Sequence, residues 1–364
     1  MAGRRRPTAR IAAGLVAVAT LVGATGCGDA AGGDPQQVAE VLQAAVPATS
    51  PQVGAPPAGL VVAVDGRAGA TVIDPVNRIL AVAAQDPDRV LLYDLDELLG
   101  AASAPGAVAV VGEDPAAVPR PRTVALPGRV DQLDLGADGE LLAPVRSAGV
   151  LLRITLLSDN AEPVVRPVTV AGGPVAAAVV AGRTVVALAD QQAVAVLDGD
   201  RVVHTVAGFA GAADLVAVGG RAAVLDRLRT AIVTIDPATG RLGPALRAGN
   251  GATNAAGDRF GRVLVTDTRD GELLAFTADP MIMRQRYPVP GAPYAIAYDP
   301  ARDLAWVTLT ERNEVVGFDV AGGEPVERYR LATVRQPDAI AVDSDSGAIV
   351  VVSGTGEGMQ VVRP

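Results

Sequence analysis

The chain is 364 residues long, 49% hydrophobic but only 3% aromatic, and carries a formal net charge of −9. An acidic chain repels nucleic acid, so no nucleic-acid partner is expected. The single cysteine, Cys27, excludes an internal disulfide and any multi-cysteine zinc or iron–sulfur site. With so few aromatics the core must be built from Val, Ala, Leu and Ile. Valine-rich segments broken by 41 Gly and 27 Pro predict many short strands with tight turns.

The chain opens on "MAGRRRPTAR", a basic stretch, followed by the apolar run Ile11 to Val22. That run is too short for a membrane span of about 20 residues and has the length of a signal-peptide core, roughly 7–15 residues. Small residues follow, Gly23, Ala24, Thr25 and Gly26, and then Cys27. This pattern resembles the bacterial lipoprotein signal, although that family usually has a large aliphatic residue where Ala24 stands. The resemblance implies a signal peptide over 1–26, cleaved before Cys27. It also implies a lipid on the Cys27 thiol and an extracytoplasmic chain held at the cell membrane. Setting aside Arg4, Arg5, Arg6 and Arg10 leaves the body from Cys27 onward at −13.

Residues 27–58 read as a lipidated tether. "DPQQVAEVLQAAV", 34–46, predicts a short helix with Asp34 as cap and Pro35 in the first turn. Pro47 to Gly59 is proline-rich and predicted to be extended.

From Gly59 to Pro364 one unit recurs seven times. Taking the residue that opens the second strand as marker gives Arg78, Glu140, Arg183, Arg221, Arg262, Asp303 and Gly347. The apolar end of the third strand follows each marker by 14 or 15 residues, at Tyr93, Ile154, Leu197, Ile235, Phe276, Phe318 and Val361. Four short strands in roughly 40–45 residues make a β-propeller blade. The fold class is therefore all-β, a seven-bladed propeller of four-stranded antiparallel blades over 59–364. The last unit has no fourth strand of its own, so residues 60–65 are expected to supply it and close the ring. Residues 96–121 in the first unit are an insertion, read as a surface loop.

The units resemble the YVTN/YncE-type propeller repeat. The stretch from about Pro244 onward, with "GRVLVTDTRDGELLAF", "RQRYPVPGAPYAIA" and "NEVVGFDV", resembles the actinobacterial LppL lipoprotein family. That resemblance implies a secreted, membrane-anchored propeller and carries over no catalytic residues.

Chemistry-bearing residues are sparse. His204, the only histidine, falls in an outer strand, where a structural role is expected. Trp306 lies inside a second strand and is read as packing between blades. "DSDSG", 343–347, lacks the terminal glutamate of a calcium loop and is read as a hairpin turn. "DTRDGE", 267–272, is a turn between second and third strands. Aligning the units puts Asp131, Asn254, Tyr294 and Asp338, with Asp214 close by, where each innermost strand begins. This predicts a polar, acidic channel mouth for a cationic or polar ligand. No cofactor and no metal are expected, nor any oligomer. The function that follows is a membrane-anchored binding or scaffold module for an envelope protein or a small polar ligand. The alternative is a propeller enzyme, of lyase, lactonase or quinoprotein kind, working in the channel.

Overall fold

A computed structural model describes residues 43–103, 119–156 and 161–364. The expected signal peptide, Cys27 and most of the predicted helix lie outside these residues. The last positions of that helix, Gln43 to Val46, are described and are not helical.

Seven sheets of four antiparallel strands form the ring. Blade 1 consists of Arg67–Asp74, Ile79–Gln85, Arg89–Asp94 and Arg122–Ala125. Blade 4 consists of Ala212–Val218, Arg221–Asp226, Ala231–Asp236 and Arg241–Arg247, and blades 2, 3, 5 and 6 follow the same order. Every blade runs from an innermost strand at the channel to an outer strand at the rim. Blade 7 takes its first three strands from Pro337–Val342, Ile349–Ser353 and Met359–Val362, and its outer strand from Leu60–Val62. The pairing is antiparallel, Leu60 with Val361 and Val62 with Met359, so the expected closure is the observed one.

The burial of each strand explains its composition. Second and third strands are covered on both faces by neighbouring blades, so they read as continuous apolar runs. Leu304–Leu309 is buried throughout, whereas the rim strand Arg241–Arg247 is mostly exposed. The core is accordingly divided into apolar wedges between successive blades. One wedge packs Ile79, Leu92 and Val90 of blade 1 against Leu141, Leu152 and Ile154 of blade 2. Another joins Leu60 and Val350 of blade 7 to Leu80 and Leu91 of blade 1. A fully buried Val or Leu stabilises by about 1.5–3 kcal/mol relative to exposure. Innermost strands use alanine where the wedges narrow, as at Ala176, Ala177 and Ala178, which is why a large fold manages with few aromatics.

The insertion between the third and outer strands of blade 1 differs from its reading as a loop. It opens with a helix, Leu95–Ala102, capped by Asp94, whose side chain accepts the Glu97 N–H at 2.9 Å. Leu95, Leu98 and Leu99 are buried in the wedge between blades 7 and 1.

The predicted tether also ends differently. Residues 43–58 lie along the propeller rather than away from it, with Ala45 and Ser50 buried. At the end of this segment the Ala58 N–H donates to Ala332 O at 3.0 Å.

Candidate functional site

The innermost strands of all seven blades surround a cavity of about 590 Å³ at one end of the channel. This end carries the turns between second and third strands. In six blades the pairing of the innermost strand slips near its start, as between Ala212 and Asp214, Ala252 and Asn254, Pro293 and Ile296, and Pro337 and Ala339. Such a bulge re-aims the side chains beside it. Beside Asp214, Asn254, Tyr294 and Asp338 the bulge sets a polar side chain at the mouth, whereas in blade 3 the bulged position is Val175 and blade 2 supplies Asp131 without a bulge.

All five mouth residues chosen from the sequence, Asp131, Asp214, Asn254, Tyr294 and Asp338, line this one cavity. Their surroundings differ. Asp131 is exposed and pairs with Arg129 at 2.5 Å. Asp214 is buried; its Oδ2 accepts the Ala255 N–H at 2.8 Å, and its Oδ1 accepts Leu215 N–H and Gln132 Nε2. Asn254 donates from Nδ2 to Tyr294 O at 2.9 Å, tying blade 5 to blade 6. Asp338 Oδ1 accepts Gln336 Nε2 at 2.9 Å.

Burial sets the acidities. It raises the Asp214 carboxyl, against the opposing pull of its hydrogen bonds. It pushes Asp338 up to about 6, with Gln336 opposing. Deeper along the axis a second cavity of about 350 Å³ shares Gln132, Leu133, Asp214 and Ala255 with the first and adds Asp134. Burial pushes Asp134 up to about 7, the Leu135 N–H opposes the shift, and the Asp214 charge adds to it.

The wall is not acidic throughout. Arg129, Arg146 and Arg227 also line the mouth cavity, adding basic groups to the polar, acidic mouth expected from the sequence. Two buried polar atoms of the wall, Gln132 Oε1 and Arg227 Nε, have no partner among the described residues. One is an acceptor and the other a donor, so the cavity offers bonds of both senses to an occupant. The arginines were missed because only one position per blade was aligned. The turns between second and third strands repeat an arginine at Arg146, Arg227, Arg269 and Arg312, and that repeat was the available signal.

The other singled-out residues stand apart from the channel. His204 is in the outer strand Arg201–Ala207, with Nε2 3.2 Å from Ala238 O. Trp306 is fully buried between blades 6 and 7, its ring 5.4 Å from that of Tyr329. Asp343 of "DSDSG" closes its own hairpin, accepting Ser346 Oγ at 2.7 Å. In the turn "DTRDGE", the carboxylates of Asp267, Asp270 and Glu272 come within 4.8 Å of one another. Arg286 already pairs with two of them, Asp270 at 3.2 Å and Glu272 at 2.6 Å.

No family model and no curated protein sequence matches the chain. Its fold is similar to several solved propellers. A streptogramin B lyase structure aligns at TM-score 0.64 and 13% identity, over 83% of this chain and 95% of that one. Virginiamycin B lyase from Staphylococcus aureus aligns at 0.64 and 11%, over 82% and 96%. A chain of a mitotic checkpoint complex aligns at 0.66 and 11%, over 91% and 99%. At such identities the likeness is one of fold.

Proposed function

We propose that this protein is a binding module whose channel mouth takes a small polar ligand carrying both charges, such as a free amino acid or a similar zwitterion. The supporting observation is a pair of buried atoms without a partner among the described residues, Gln132 Oε1 and Arg227 Nε, on the wall of a cavity of about 590 Å³. Asp131, Asp214 and Asp338 offer acceptors to a cationic group, and Arg129, Arg146 and Arg227 offer donors to an anionic one. A cavity of this size suits a small molecule.

Binding is preferred to catalysis. One of the similar structures is a virginiamycin B lyase inactivated by a histidine-to-alanine substitution. Here the only histidine, His204, is in a rim strand and does not line the channel. By its N-terminal resemblance the module is held outside the cell membrane through a lipid on Cys27, where it would present its ligand, or itself, to an envelope protein.

Thermal-shift screening of the purified protein against free amino acids tests the channel reading, with Asp131→Asn/Asp214→Asn/Asp338→Asn as control. A zwitterion that raises the melting temperature of the parent and not of the triple variant is the expected result. Equal stabilisation of both proteins, or of neither, overturns it.

A further inference from the structure

The segment Gln43 to Pro51 is bound in an unusual way. It forms no strand with any blade. Instead its backbone is read, carbonyl by carbonyl, by side chains from four blades. Arg269 Nη2 of blade 5 donates to Gln43 O at 2.8 Å, and Arg227 Nη2 of blade 4 to Ala45 O at 3.0 Å. Gln336 Nε2, leading into blade 7, donates to Ala48 O at 2.9 Å, and Asn313 Nδ2 of blade 6 donates to Pro51 O at 3.0 Å. The backbone donors are met as well, Ala48 N by Thr310 Oγ1 at 3.1 Å and Ser50 N by Gln336 Oε1 at 2.9 Å.

Only two side chains of the segment are enclosed. Ala45 is 2% exposed and Ser50 is 2% exposed, the latter donating from Oγ to Thr310 O at 2.5 Å. Gln43, Val46 and Thr49 point to solvent. Little apolar surface is covered, so the contact has few of the features that make a segment inseparable from its core.

We propose that the turns of blades 4 to 7 form a receptor for an extended, uncharged peptide, which residues 43–51 occupy as an intramolecular ligand. Backbone recognition makes the surface tolerant of sequence, as in other modes that read an extended main chain. The two enclosed positions set the requirement: a small residue, and five places later a serine, with proline allowed between. A partner carrying such a segment competes for the same donors, and the linkage to the ring through 52–58 gives the cis segment its advantage of effective concentration. This surface lies over the turns and shares Arg227 with the wall of the mouth cavity.

The test uses the full chain with a protease site placed over residues 53–56, where Gly54, Ala55 and Pro56 are exposed. Cutting there leaves the closing strand Leu60–Val62 in the ring and holds the segment by its contacts alone. The probe is a fluorescein-labelled synthetic peptide of residues 42–52. Cut protein is expected to bind it at least ten-fold more tightly than uncut protein. Arg335, whose Nε donates to Ser50 O at 3.4 Å, joins Arg269 in the control: Arg269→Ala/Arg335→Ala is expected to weaken that binding five-fold or more, and a peptide carrying Ala45→Trp and Ser50→Trp is expected not to bind. Circular dichroism checks the fold at each stage. Unfolding of the ring on cutting means the segment is an integral part of it and overturns the proposal. So does a folded, cut protein that takes up no peptide, or takes it up with the arginines gone.

Discussion

Arg78 and Asp343, 265 residues apart, share a two-pronged ion pair, Nη1 to Oδ1 at 2.8 Å and Nη2 to Oδ2 at 3.1 Å. Arg78 immediately precedes the second strand of blade 1, and Asp343 is in the first hairpin of blade 7. The pair therefore spans the seam where the ring closes. The Asp343 side chain is fully buried and that of Arg78 is 25% exposed. Burial alone would raise the Asp343 carboxyl, but Arg78 and Ser346 outweigh it and hold it below the usual range.

Replacing Arg78 by Ala leaves a buried carboxylate with only its own hairpin as partner. Breaking a buried pair from one side is costly because the remaining charge stays desolvated. Partial exposure of Arg78 and the bonds from Ser346 soften this, so a loss of about 2 kcal/mol is expected. Urea denaturation at pH 7 measures it, and a midpoint equal to that of the parent would contradict a role at the seam.

The other side of blade 7, toward blade 6, is held by Gln360, which is fully buried. Its Nε2 donates to Ala58 O at 2.5 Å and to Ala332 O at 2.9 Å, and its Oε1 accepts Val334 N–H at 3.1 Å. Gln360→Leu keeps the size and strands the Ala58 carbonyl and the Val334 N–H, while Ala332 O keeps the Ala58 N–H, for an expected cost of about 2 kcal/mol. Deleting residues 59–66 removes the outer strand altogether and is expected to lower the melting temperature in one cooperative step. A deletion variant that melts like the parent would mean the ring does not need its N-terminal strand.

The ring was legible because its period is physical. Middle strands must be apolar on both faces, so Arg183, Arg221 and Arg262 mark second-strand starts that coincide with the observed ones. Asp131, Asp214, Asn254, Tyr294 and Asp338 could be placed at the mouth for the same reason, since each blade repeats its geometry. What the alignment did not carry was contact between distant segments. Nothing local distinguishes a proline-rich tether in solvent from one whose carbonyls meet Arg227, Arg269 and Gln336. The helix Leu95–Ala102 had a local signal, Asp94 followed three residues later by Glu97, which was overlooked inside an apparent loop. The bulges that aim Asp214 and Asp338 depend on strand pairing and have no signature of their own.

Gly354 has an ordinary negative-φ role, but a Cβ there would overlap Asp338 Oδ2. The obstacle is the end of one side chain, so Gly354→Ala is expected to cost less than about 1 kcal/mol while displacing the carboxylate. Carbon-detected NMR titration of Asp338 reads the displacement, because its carboxyl, pushed up to about 6 by burial with the Gln336 hydrogen bond opposing, would titrate elsewhere. An unchanged titration would show that the two residues do not crowd each other.

Mass spectrometry of the mature chain checks the anchor. A terminus at Cys27 carrying lipid mass is expected, along with partition into detergent, and Cys27→Ser is expected to abolish both. Two acyl chains give stable attachment where one gives only marginal binding. An unmodified terminus at any other residue would remove the membrane from the functional reading.

The channel acids make stability depend on pH in a defined direction. Asp134 is pushed up to about 7 and Asp338 to about 6, against about 3.9 for an unfolded aspartate. Between these limits the folded chain holds more protons than the unfolded one. Their contribution is thus fully present below about pH 4 and is lost as pH rises through 6 and 7. Asp134→Asn removes the larger part of that loss. The variant should be more stable than the parent at pH 8 by about 1–2 kcal/mol, a value reduced from the full shift because water reaches the channel. At pH 5 the two should differ little. Urea midpoints at pH 5, 6.5 and 8 decide the matter. Curves for parent and variant that run parallel across this range would mean that Asp134 is ionised throughout and that burial in the channel does not hold its proton.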